Sequence, residues 1–186
     1  IQGGKGSFSE EAAQIFAVNH GIDNHEILYL ISSKAVLKDV ESSKVNYGIL
    51  AMENAQGGVV IESVEAMAEY RCRILEMFHI PVSQNLLAKE DIHIGDITEI
   101  HSHQQALRQC KDYLAEHFWT RPLIEADDTA EAARRLSQGK LPNTAGVVGS
   151  KYCAELYGLN ILEEDIHDLK HNLTLFLGIG KFKESK

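Results

Sequence analysis

The chain has 186 residues, with 27 Asp and Glu against 18 Lys and Arg and a formal net charge of −9. The acidic residues are spread along the chain and no Lys/Arg cluster interrupts them, which argues against a nucleic-acid surface. Hydrophobic residues at 44% and charged residues at 24% are ordinary for a soluble globular protein with a sizeable core. No apolar run approaches the roughly 20 residues of a bilayer span. The start, Ile1-Gln2-Gly3-Gly4, has neither the basic flank nor the apolar core of a signal peptide. Cys72, Cys110 and Cys153 are odd in number and far apart, without metal or redox spacing. They read as reduced thiols of a cytoplasmic protein.

Strand-like and helix-like stretches alternate, the pattern of a largely parallel α/β sheet. Ile1-Gln2 reads as the end of a strand, Gly3 to Gly6 as a turn, and Ser9 to Asn19 as a helix. Glu26 to Ile31 suits a strand, Ser33 to Val40 a helix, Tyr47 to Met52 a strand, and Val59 to Tyr70 a helix. Cys72 to Ile80 and Val82 to Ala88 are extended segments separated by Pro81. Ile97 to His101 feeds a helix over His103 to His117. Leu123 to Ala126 precedes a helix over Thr129 to Ser137, and Ala145 to Gly149 precedes one over Ser150 to Tyr157. Leu162 to Asp165 leads back to a final strand over Leu173 to Lys181.

Four segments carry polar chemistry. Gly3-Gly4-Lys5-Gly6-Ser7-Phe8-Ser9-Glu10 is a glycine turn opening a helix, with capping-box spacing between Ser7 and Glu10. Unpaired N–H groups there suit an anion, although an ordinary capped helix has the same sequence. Met52-Glu53-Asn54-Ala55-Gln56-Gly57-Gly58 follows a strand end, where ligands of α/β sheets sit. Ser102-His103-Gln104-Gln105-Ala106-Leu107-Arg108-Gln109-Cys110 opens a helix that Ser102 can cap. Neither histidine pair, His101 with His103 or His167 with His171, has a third ligand beside it, so no metal is expected. Asp127-Asp128-Thr129-Ala130 reads as an acidic helix start. The last segment, His171 to Gly178, is an apolar strand carrying one hydroxyl, Thr174. A buried hydroxyl must find a partner or cost free energy, so Thr174 is either paired in the fold or faces a ligand.

Taken in order, these blocks resemble the catalytic domain of prephenate dehydratases. The match comprises Gly-x-Gly-Ser-Phe-Ser, Glu-Asn with a Gly three residues after the Asn, and Ser-His-x-Gln-Ala-Leu-x-Gln-Cys. It continues through Thr-Ala-x-Ala-Ala, Tyr-Gly-Leu-x-Ile-Leu and Asn-x-Thr-x-Phe. The resemblance implies one domain over 1–186 with a two-lobed, periplasmic-binding-protein-like (type II) α/β fold, largely parallel sheets, and an active site in the interlobe cleft. Lobe 1 would take about 1–78 plus 168–186 and lobe 2 about 79–167, with crossings near His79 and Asp168.

The function it implies is decarboxylative dehydration of prephenate to phenylpyruvate in phenylalanine biosynthesis, a carbon–oxygen lyase reaction that uses no cofactor. Catalytic roles would fall to Thr174, Asn54, Gln109 and Glu53, with Glu53 orienting Asn54. Substrate would be bound by Gly6, Ser7, Ser102, His103, Thr129 and Phe176. Homodimerisation and association with a chorismate mutase are further expectations by analogy. The regulatory ACT domain does not follow within these residues, so phenylalanine feedback through it is not expected. Leu175 replaces the family's arginine, Ala55 its Ser or Thr, Asp128 its Ser, and Gln104 its proline. Loss of a bidentate cation keeps two alternatives open: a non-aromatising prephenate decarboxylase, and a non-catalytic module binding an aromatic or keto acid.

Overall fold

The final strand of the chain returns to pair with strands made from its first 81 residues, and this return divides the molecule. In the computed structural model, which describes residues 1–182, one compact unit is Ile1–Pro81 with the chain from Asn172 onward, and the other is Val82–His171. The first unit runs α1 (Phe8–Asn19), α2 (Ser33–Glu41), β1 (Tyr47–Asn54), β2 (Gly58–Val59), α3 (Ile61–Glu69) and β3 (Cys72–Pro81). The second runs β4 (Asn85–Ala88), β5 (Glu99–Ser102), α4 (Gln104–Gln109), α5 (Lys111–Phe118), β6 (Leu123–Glu125), α6 (Thr129–Ser137), β7 (Ala145–Gly149), α7 (Lys151–Tyr157) and β8 (Asn160–Glu163). The chain then re-enters the first unit as β9 (Leu173–Lys181). The crossings fall a few residues later than expected because β3 keeps pairing with β9 as far as Pro81 opposite Leu173.

Strand direction is more mixed than the sequence suggests. In the first unit the order is β2-β1-β9-β3, and each of its pairs is antiparallel. The reason is topological: β1 and β3 run the same way, and the returning β9 inserts between them in the opposite direction. In the second unit the order is β6-β5-β7-β4-β8. There β5 pairs in parallel with β6 and β7, while β4 is antiparallel to both its neighbours.

Alternation along β9 sorts its side chains onto two faces. Thr174, Phe176 and Gly178 face α1, where Ala12, Ala13 and Phe16 pack on Ile49, Ile80 and Phe176. Leu177 and Ile179 face α2 and α3, packing with Val36, Leu37, Val40, Leu50 and Ala66. The second unit is likewise two-sided. One side packs Ile100, Leu107, Cys110, Leu114 and Val148; the other packs Leu87, Ala133, Leu136, Val147 and Cys153. Among the described residues, no helix is long and apolar enough to cross a membrane.

Glu26–Ile31 is not a strand. Its backbone bonds to a neighbouring segment are from the Ile1 amino group to Leu28 O at 2.7 Å and from Leu30 N to Ile1 O at 3.0 Å, and Leu30 O turns back to accept from Ser32 N at 2.7 Å. A single bridging residue makes no ladder, and Ile31 departs from extended geometry at φ 67°. Ile1-Gln2 is correspondingly extended without forming a strand. The helix expected over His103–His117 breaks at Cys110, whose ψ of 21° separates α4 from α5.

Gly178 lets α1 sit directly on β9. A Cβ there would lie 2.2 Å from Phe16 Cε2, well inside contact distance. Gly178→Ala is expected to lower unfolding free energy by about 1–3 kcal/mol. Adding Phe16→Leu should recover part of that loss in a urea-melt double-mutant cycle.

Candidate functional site

In the first unit the polar chemistry centres on one carboxamide. β1 carries a bulge between Ala51 and Glu53, after which Asn54 stands opposite Thr174 rather than one residue out of register. An extra residue in one strand re-aims the side chains that follow it. Asn54 Oδ1 accepts from Gln56 N at 3.1 Å and Gly57 N at 2.8 Å, an Asx-type turn. Backbone N–H groups only donate, so the orientation of the amide is fixed. Its Nδ2 therefore points at Asn172 Oδ1 and Thr174 Oγ1, each at 2.8 Å. The Leu173 carbonyl oxygen lies farther from the same nitrogen, at 3.5 Å. Thr174 is 7% exposed, and its oxygen is occupied as an acceptor. Its own proton has no acceptor among the described residues.

Four expectations change in this unit. Glu53 does not orient Asn54: it is exposed and, one residue along the strand, it faces the opposite side. Gln56 and Gly57 do that work. Gly6 does not offer its N–H to a ligand, since that group donates to Glu10 Oε2 at 2.6 Å. The capping box accordingly fails to form. Ser7 begins α1 without a side-chain cap bond, and its buried Oγ has no partner among the described residues. Phe176 is no substrate contact. It is 1% exposed and stacked on Phe78 at 6.2 Å between ring centroids, because α1 covers that face of β9. Leu175 lies on the other face, flanked in register by Glu53 and His79.

In the second unit Gln109 is buried at the end of α4. Its Oε1 accepts from Gln84 Nε2 at 3.0 Å, while Gln84 Oε1 is buried with no partner among the described residues. Gln84 is held in turn by its backbone, donating to His167 Nδ1 at 3.4 Å and accepting from Ile166 N at 2.9 Å. Ser102 is fully buried, with Oγ 2.8 Å from Val148 O and 3.3 Å from Thr129 Oγ1. A hydroxyl has one proton and a carbonyl only accepts, so the Ser102 proton goes to Val148 and not to a ligand. Nor does Ser102 cap α4. His103 does, its Nδ1 accepting from Gln105 N at 3.2 Å. Thr129 is the first residue of α6, capped by Asp128 Oδ1 from Ala130 N at 3.2 Å.

Cys110 is fully buried and poorly placed to act as a nucleophile. Burial first, then the Asp168 carboxylate, push its thiol up to about 12, against a smaller opposing effect of Lys170. Gln84 and Asn172 were not legible as site residues. Asn172 had a signal, as the first residue of the Asn-x-Thr block; Gln84 had none.

Residues 1–184 match the family described as prephenate dehydratase. The chain belongs to the prephenate dehydratase family. It is 32% identical over 178 residues to the prephenate dehydratase of Methanocaldococcus jannaschii, covering 95% of this chain and 62% of that one. It is also 32% identical over 180 residues to arogenate dehydratase 2 of Petunia hybrida, covering 97% and 44%. The chain thus spans roughly half to three-fifths of these relatives' length. A prephenate dehydratase from Arthrobacter aurescens, solved in complex with L-Phe, shares the fold. Its TM-score is 0.84 at 24% identity, over 100% of this chain and 60% of that one.

Two outcomes follow for this family member. Ser102→Ala should cost about 1–3 kcal/mol of stability in a denaturant melt, because it removes a buried bond to a backbone carbonyl. Iodoacetamide at pH 8 should alkylate Cys110 on the order of a thousandfold more slowly in native protein than in urea, read by peptide mass.

Proposed function

We propose that this domain catalyses the conversion of prephenate to phenylpyruvate, carbon dioxide and water, as a carbon–oxygen lyase. The observation that carries the reading is the polarity at Thr174: an oxygen already accepting from Asn54, and a hydroxyl proton with no acceptor among the described residues. The reaction breaks the bond from the ring to its carboxylate, whose electron pair enters the ring, and the bond from the ring to its hydroxyl, which leaves as water after gaining a proton. A donor held against the departing oxygen lowers that barrier. Threonine is a weak acid, so its contribution is orientation and a directed hydrogen bond, with the proton made good from solvent. Asn54 strengthens it by holding the oxygen in place.

The second unit contributes Gln109, whose amide suits a substrate carboxylate, with His103 and Thr129 at the starts of α4 and α6. Ser7 adds a hydroxyl from the first unit. One substrate engaging both sets is part of the proposal. So are a cytoplasmic location, supported by three unpaired cysteines, assembly as a homodimer, and supply of prephenate by an associated chorismate mutase.

Purified protein is incubated with prephenate and the products are resolved by chromatography and mass. Phenylpyruvate is expected. A dihydro-hydroxyphenylpyruvate would instead identify a non-aromatising decarboxylase, a reading that Leu175 in the arginine position favours. Unchanged, bound prephenate would identify a binding module. Thr174→Val keeps shape without the hydroxyl and should reduce kcat by about 10²–10⁴ with the fold intact. Turnover equal to the parent protein's would remove Thr174 from the mechanism.

A further inference from the structure

Asn172 stands beside this site with an unusual hydrogen-bond balance. The residue is 2% exposed, and its Nδ2 is a buried donor with no partner among the described residues. Leaving such a group unpaired is costly, and native structures rarely do so without a reason. Rotating the amide cannot relieve it. Asn54 Oδ1 is committed to Gln56 and Gly57, so Asn54 presents Nδ2 to Asn172. A rotated Asn172 would set donor against donor. The polarity therefore propagates in one direction: two backbone N–H groups orient Asn54, and Asn54 orients Asn172. The terminal Nδ2–H is left over, as the Thr174 proton is. Both Asn172 Oδ1 and Thr174 Oγ1 lie 2.8 Å from the same nitrogen, so the two unclaimed donors belong to one small region at the start of β9.

We propose that Asn172 Nδ2–H is a second hydrogen-bond donor to the departing ring hydroxyl, acting with Thr174 on the same oxygen. This inference rests on the reading of the domain as a prephenate dehydratase. Two donors on one oxygen stabilise charge that develops as the carbon–oxygen bond breaks, and being pre-oriented they need not reorganise during the reaction. Asn172 forms no bond with the substrate carbon and transfers no proton; the proton that completes water arrives by way of Thr174 and solvent.

Asn172→Asp separates this role from a merely structural one. The carboxylate keeps an oxygen for Asn54 Nδ2 but replaces the donor with an acceptor, so a purely structural Asn172 predicts kcat near that of the parent protein. A donor role predicts kcat lowered by about 10²–10³ at pH 8 with KM changed far less, comparable to losing one donor of an oxyanion hole, and with circular dichroism and melting temperature retained. A kcat within about threefold of the parent overturns the proposal. If the variant does not fold, the parent protein decides. On titration with 4-hydroxycyclohexane-1-carboxylate, the Asn172 side-chain amide resonances should move downfield in ¹⁵N-¹H spectra of ¹⁵N-labelled protein. The des-hydroxy acid should leave them in place, and equal responses to both acids overturn the proposal. Failure of the parent protein itself to turn over prephenate would instead overturn the functional reading.

Discussion

The side-chain amide of Asn54 is the constraint from which the first unit's chemistry follows. Its oxygen is assigned by neighbours with no choice of role, since backbone N–H groups only donate, and that fixes where its nitrogen points. That certainty is passed on to side chains that are otherwise ambiguous, a hydroxyl and a second amide. A network built this way acts as a rigid device: its members are held in one protonation and rotamer pattern by groups belonging to the main chain. Among the described residues, no charged side chain takes part in it.

The second unit uses the same economy with different residues. Gln84 meets Gln109 amide to amide, as Asn54 meets Asn172, but here no backbone N–H assigns the direction, and Gln84 Oε1 is left without a partner among the described residues. The residue in the arginine position, Leu175, lies on the sheet face opposite Thr174, in a row with Glu53 and His79. The substitution therefore changes that face and leaves the Asn54 network intact.

Much of this was readable in the sequence, for reasons that can be named. The helices α1 and α6 announce themselves by apolar periodicity, and α6 also by Asp128 at its cap. Thr174 was legible because a lone hydroxyl in an apolar strand demands an explanation. Other features were hidden because they depend on partners that sequence does not name. Glu26–Ile31 has strand composition but only Ile1 to pair with. Phe176 shares a face with Thr174 by simple alternation, yet α1 closes over it. Ser7 and Glu10 have the spacing of a capping box, but Glu10 reaches Gly6 instead, so the glycine turn is satisfied by its own helix. Glu53 and Asn54 are adjacent in sequence, and only the register of β1 against β9 decides which of them meets Thr174.

That register gives the bulge in β1 a significance beyond local geometry. Between Ala51 and Glu53 one strand advances two residues while β9 advances one. In a regular ladder the residue opposite Thr174 would be Glu53, a carboxylate that accepts from the hydroxyl and claims its proton. The bulge substitutes Asn54, an amide that donates and leaves the proton available. Whether this strand pair holds a proton or offers one thus depends on the number of residues in β1 as much as on their identity. A single insertion or deletion there would invert the chemistry while every named side chain remained in the sequence.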